Sequence, residues 1–158
     1  MNERIVAIDP GTDASGVAVF TNGKLTELTM MNLPTLVDYI QVTDAHYVIE
    51  NVEANKFIYA RNKHPSQSVT LKMAQSVGLV KATARHIMTF MTWHKKAYTP
   101  IKPTPDNWGT MDAEQGKRAL QTMLGWTGES NKDTRSAAFF GNLYIRQLTR
   151  KARIKPVV

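Results

Sequence analysis

The chain has 158 residues, enough for a single domain with one sizeable core, and its 42% apolar content is that of an ordinary globular protein. It has no cysteine, which excludes a disulfide framework and any thiolate metal site. No apolar run approaches the roughly 20 residues of a membrane span, and Glu3-Arg4 leads straight into a strand with no signal-peptide pattern, so a cytoplasmic setting is expected. The formal net charge of +7 is uneven: residues 1–80 carry 6 Lys/Arg and 8 Asp/Glu, residues 81–158 carry 14 and 5. A basic half of that kind points to a polyanionic partner.

Taken in chain order, Ile5 to Ile8 and Val17 to Phe20 read as strands, and Thr21-Asn22-Gly23-Lys24 as a hairpin turn into a third strand, Leu25 to Met30. Pro34 opens a short amphipathic helix through Leu36, Val37 and Ile40. Tyr47-Val48-Ile49 is a fourth strand with a central, fully apolar character, and it ends on Glu50. Asn51 to Pro65 reads as a polar loop or a frayed helix start, and Ser66 as the N-cap of a long helix through Leu71, Ala74, Val77, Leu79, Ala82, Ile87 and Met88. Small residues on that helix (Ala74, Ser76, Gly78, Ala82) imply close packing, against either the core or a second copy of the chain.

Lys95 to Tyr98 reads as a fifth strand, and Thr99 to Gly109, with Pro100, Pro103 and Pro105, as a connector. Asp112 with Gln115 opens a helix that Gly125 closes. The last helix is expected over about 131–150, with a basic tail at 151–158 after a single domain at 1–150. Strand hairpins followed by alternating helices and strands give an α/β mixed sheet with helices on its faces.

Two of the strands end on carboxylates, Asp9 and Glu50. A carboxylate at the end of a buried strand is costly without a cation or strong donors. The turn Asp9-Pro10-Gly11-Thr12 admits two chemistries: a metal-holding nuclease strand, or a hairpin whose backbone amides cradle a nucleotide phosphate. Neighbouring strands would bring Asp9 and Glu50 to one sheet edge. Asp133, in the first turn of the last helix, supplies a third carboxylate where the helix dipole favours it. Three carboxylates around one point repel by several kcal/mol unless divalent cations sit among them. Oxygen donors without Cys or clustered His select Mg²⁺ or Mn²⁺.

The opening IDPGTDASGVAVF, the acid-terminated YVIEN, the helix SVTLKMAQSVGLVKATA and the helix start KDTRSAAFFG resemble, in order and spacing, the RuvC family of Holliday-junction resolvases in the RNase H-like superfamily. The resemblance covers about residues 3–150, and the compact, methionine-rich chain has the look of a phage-type member. It implies a five-stranded mixed sheet flanked by helices, a homodimer, and Mg²⁺- or Mn²⁺-dependent hydrolysis of branched DNA. By position it makes Asp9, Glu50 and Asp133 metal ligands. The family's second acid on the last helix falls at Ser136, a far poorer ligand. Lys117 lies where the family resembles an active-site lysine, and Lys102 is a second candidate for that role.

For DNA contact, Lys56, Phe57, Tyr59, Arg61 and Lys63 interleave aromatics with cations, a pattern suited to stacking on unpaired bases while pairing with phosphates. Lys81, Arg85, Lys102, Lys117 and Arg118 are candidates to line a strand channel, joined by Lys95 and Lys96. Two further functions fit the same residues: a catalytically weakened junction-binding protein, because of Ser136, and an RNase H-like nuclease acting on flaps, forks or RNA–DNA hybrids. An actin-like ATPase needs a second phosphate loop, for which Gly125-Trp126-Thr127-Gly128 is a poor stand-in.

Overall fold

The structure is a computed structural model, and it describes residues 3–54 and 67–154. The opening hairpins form as the apolar runs require. β1 (Arg4–Asp9), β2 (Ser15–Thr21) and β3 (Lys24–Met31) make an antiparallel meander. Its β2–β3 turn places Asn22 at φ 52° and Gly23 at φ 78°, the pair of left-handed residues a two-residue hairpin needs. α1 (Leu33–Val42) starts with Asn32 accepting from Thr35 N at 2.9 Å. It returns the chain to β4 (His46–Glu50), which pairs parallel with β1. A 3-10 turn (Val52–Ala54) follows, then α2 (Gln67–Trp93), β5 (Tyr98–Ile101), α3 (Ala113–Leu124) and α4 (Lys132–Ile154). The strand order is β3-β2-β1-β4-β5, with β5 parallel to β4.

The alternation of the central strands divides the core into two layers. Val6, Ile8, Val17, Tyr47 and Ile49 pack with Leu36 and Ile40 of α1 and with Ile87 and Met91 of α2. Ile5, Ala7, Ala18, Phe20 and Val48 pack with Leu120 of α3 and with Ala137, Ala138 and Phe140 of α4. β1 and β4 are buried on both faces and so read as continuous apolar runs.

Three expectations shift. The fifth strand is Tyr98–Ile101 in place of 95–98, because Lys95 takes φ 54° in the turn that ends α2 and cannot be extended there. Pro100 lies within β5, where an edge strand tolerates the missing N–H. α4 continues to Ile154, so the first residues of the expected basic tail are helical, and Asn131 is its cap: Oδ1 accepts from Asp133 N at 3.0 Å and Thr134 N at 2.9 Å. Around Gly78 nothing among the described residues comes within 4 Å of the position a Cβ would take, so that small residue does not serve packing within the described fold. Ser66 lies outside the described residues.

Candidate metal centre

Parallel pairing of β1 with β4 fixes the first two carboxylates. Ile8 is in register with Ile49, so the next residue on each strand, Asp9 and Glu50, emerges at the same carboxyl-terminal edge. Strand alternation gives Asp9 the parity of Ile5 and Ala7, and Glu50 that of Val48, so both belong to the α4 face of the sheet. Both are half-buried. Burial comes first among the causes that push the Asp9 carboxyl well above the usual carboxylate range. Hydrogen bonding to Glu50 and the Glu50 charge add to it. Glu50 is also raised, by burial and by the Asp133 charge, although the hydrogen bond from Asp9 lowers it. Both shifts run in the direction that favours a proton held by the pair when no cation neutralises it.

α4 brings the third carboxylate. Gly16 faces Asp9 across the β1–β2 ladder. A methyl at Gly16 would overlap the Asp133 carbonyl and stand 2.8 Å from Thr134 N. Glycine at that position lets the first turn of α4 rest directly on β2. The Asp133 charge consequently reaches Asp9 and Glu50 and raises both. Ser136, one turn along, is buried, and its hydroxyl near Asp9 opposes the upward shift. Arg135 is buried elsewhere, against Gly116 of α3, with Nη1 donating to Ser130 O and Oγ at 3.3 Å each. Among the described residues no three His, Cys, Asp or Glu side chains stand close enough together to form a finished ion cage. Two acids follow in-register residues at the ends of adjacent strands and influence each other, and the third acts on them through its charge.

Comparison with solved structures places this sheet and its helices. The chain matches Thermus thermophilus RuvC in complex with Holliday junction substrate at a TM-score of 0.55 and 11% identity, over 91% of this chain and 96% of that one. A second Thermus thermophilus RuvC structure matches at 0.52 and 13%, over 92% and 97%. The Fowlpox virus resolvase, in complex with Holliday junction DNA, matches at 0.53 and 11%, over 90% and 99%. The chain has the RuvC-like, RNase H-type fold. No protein-family model matches it, and no curated protein matches it by sequence.

On this RuvC-like fold the candidate cations are dispersed. Lys102 directly follows Ile101, the partner of Glu50 in the β4–β5 ladder, and is therefore at the same sheet edge as the carboxylates. Lys117 and Arg118 are exposed on the first half of α3. Arg85 of α2 is held by Glu53, with Nε donating to Oε1 at 2.9 Å and Nη2 contacting the same oxygen. Lys81 is half-buried on α2. Lys56, Phe57, Tyr59, Arg61 and Lys63 lie outside the described residues. No helix among the described residues is long and apolar enough to cross a membrane.

Sequence reasoning missed Asn107. It is buried in the Pro-rich connector and donates from Nδ2 to Ser136 Oγ at 2.8 Å. The only local signal was an Asn two residues before a Gly, a common turn pattern.

Proposed function

We propose that the chain is a divalent-metal-dependent, structure-selective endonuclease that hydrolyses phosphodiesters in branched DNA, four-way junctions foremost. The observation that carries this reading is the Asp9–Glu50 pair, two carboxylates at the same edge of adjacent parallel strands with a third acid acting on both. Carboxylates so placed oppose each other until a cation of matching hardness neutralises them, and an all-oxygen donor set suits Mg²⁺ or Mn²⁺. Asp9, Glu50 and Asp133 are the assigned ligands, with Ser136 beside them. These residues would hold divalent ions, whose chemistry there would be to activate a water and to stabilise the leaving oxygen of an in-line displacement.

The remaining roles belong to the chain's own side chains. Asp9 and Glu50, fixed by their ladders, hold the scissile phosphate's surroundings rigid, while Lys102 or Lys117 offers positive charge for the developing phosphorane. Arg85, Lys81, Arg118 and the segment carrying Lys56, Phe57, Tyr59, Arg61 and Lys63 bind the DNA arms. Two coordinated cuts on a junction need two sites, and the exposed small-residue face of α2 around Gly78 is the assigned homodimer surface.

Labelled four-way junctions, flaps, forks, duplexes and RNA–DNA hybrids incubated with Mg²⁺ or Mn²⁺ test this. Paired symmetric nicks confined to the junction are expected. Cutting of flaps or hybrids alone would move the substrate assignment, and tight junction binding without any cutting would establish the second reading, a junction binder weakened at Ser136.

A further inference from the structure

Arg135, at the start of α4, is a buried cation without a counter-charge. It is 4% exposed, and among the described residues no carboxylate pairs with it. A guanidinium in a protein is always charged and carries five N–H donors in a planar fork. Nη1 is taken up by Ser130 O and Ser130 Oγ, both at 3.3 Å. Nε is shut off from solvent and has no acceptor among the described residues. Nη2 has no acceptor among them either but, unlike Nε, is open to solvent. Gly116 of α3 makes room for the group: a Cβ there would stand 2.7 Å from Arg135 Nε and 3.1 Å from its Cδ. In that wedge a lone charge is destabilising, whereas an apolar side chain of the same length would pack there without the penalty.

We propose that Arg135 is a phosphate-binding residue, taking an oxygen of a DNA backbone phosphate on Nη2 and so gaining the counter-charge the fold withholds. Charge-assisted bonds from a guanidinium to phosphate are among the strong ones, and a buried, held guanidinium loses little freedom in making them. The surroundings favour phosphate over a carboxylate. Lys132, one turn earlier on the same side of α4, and Lys117, next to Gly116 on α3, are both exposed cations. The acid one turn before Gly116, Asp112, is committed to the helix cap and accepts from Gln115 N at 3.0 Å. From Asp133 to Arg135 the helix turns by about 200°, so this phosphate lies across the first turn of α4 from the acids and is not the one that is cut. A contact of that kind fixes the register of the strand and reads no base. The DNA source of the phosphate rests on the nuclease reading of the chain; the anion site itself does not.

The experiment treats free phosphate and DNA separately, with the full chain. Inorganic phosphate titrated at constant ionic strength should raise the urea midpoint of the wild type saturably, because a ligand held by the folded state alone stabilises it. Arg135→Met keeps the length and removes the charge; it should be at least as stable in chloride and show no saturable response to phosphate. The Arg135 Nε–H signal of the wild type, followed by NMR, should move with phosphate and not with chloride, a readout that holds even if Arg135→Met fails to fold. With DNA, the loss of one phosphate contact should lower the salt slope of junction binding by about 0.9 in Arg135→Met. Equal phosphate responses in the two proteins, or an unmoved Nε–H signal, would overturn the site and leave Arg135 a brace between α3 and α4. A phosphate response lost in the variant with an unchanged salt slope would overturn the DNA source. A wild type that neither binds nor cuts junctions, yet keeps a phosphate response that depends on Arg135, defeats the nuclease reading and the DNA source with it, while the anion site stands.

Discussion

Replacing Asp9 with Asn should change how stability depends on pH, and the size of the change follows from the paired acids. Burial and Glu50 hold the Asp9 carboxyl far above its ordinary 3.8, at about 9. A carboxyl raised on folding contributes stability that is fully present below its unfolded value and lost as pH rises through its folded one. Across that window the folded Asp9 holds up to one more proton than the unfolded one, so stability should fall by about 1.4 kcal/mol per pH unit. Between pH 5 and pH 7 the loss amounts to roughly 2–3 kcal/mol. Asn cannot ionise, and its Nδ2 can donate to Glu50 as the protonated Asp9 does. Asp9→Asn should therefore flatten the slope and, with EDTA present, leave the variant more stable than wild type at pH 7. Urea unfolding at pH 5, 6, 7 and 8 reads this directly. Adding Mg²⁺ should then raise the stability of the wild type and not of the variant, reversing their order. Parallel pH curves for the two proteins would refute the coupled-pair account of Asp9.

Three further outcomes are expected. Gly16→Ala should cost about 1–3 kcal/mol in urea unfolding, because the new methyl meets backbone of Asp133 and Thr134 that cannot rotate away; calorimetry should also find weaker Mn²⁺ binding, as α4 is pushed off the sheet. Tyr47→Phe should cost about 1 kcal/mol and leave Mn²⁺ affinity unchanged, since its buried hydroxyl donates to Thr43 O at 2.8 Å at the end of α1 and touches none of the acids. Glu53→Gln should barely move the unfolding midpoint, because an exposed ion pair contributes less than about 1 kcal/mol. It should tighten junction binding and steepen its salt dependence by freeing Arg85 for phosphate, and an unchanged salt slope would remove Arg85 from the DNA contacts.

The elements whose signals are local were legible in the chain. Asn22-Gly23 demanded a tight hairpin, Asp112 and Gly125 bounded α3, and the unbroken apolar runs of β1 and β4 marked strands buried on both faces. β5 was misplaced because Pro100 argues against a strand unless that strand is known to be an edge, and edge status is a property of the assembled sheet. Asp9 and Glu50 stood out because a carboxylate ending an apolar strand is costly, whereas Asp133, in a first helix turn that favours it, stood out only as a third acid to set beside them.

By itself the sequence determined which residues had to be explained: carboxylates ending apolar strands, a basic second half, and, through the family it resembles, a serine at the position of a fourth acid. Only the tertiary structure decided what those residues do to one another. Parallel register brings Asp9 and Glu50 to one sheet edge, and the bare Cα of Gly16 admits the helix that carries Asp133. A loop read as a mere connector supplies Asn107 to Ser136. Strand character is written into short runs of residues, whereas contacts between positions 9, 50, 107 and 136 depend on how separate segments pack, and no local pattern encodes them.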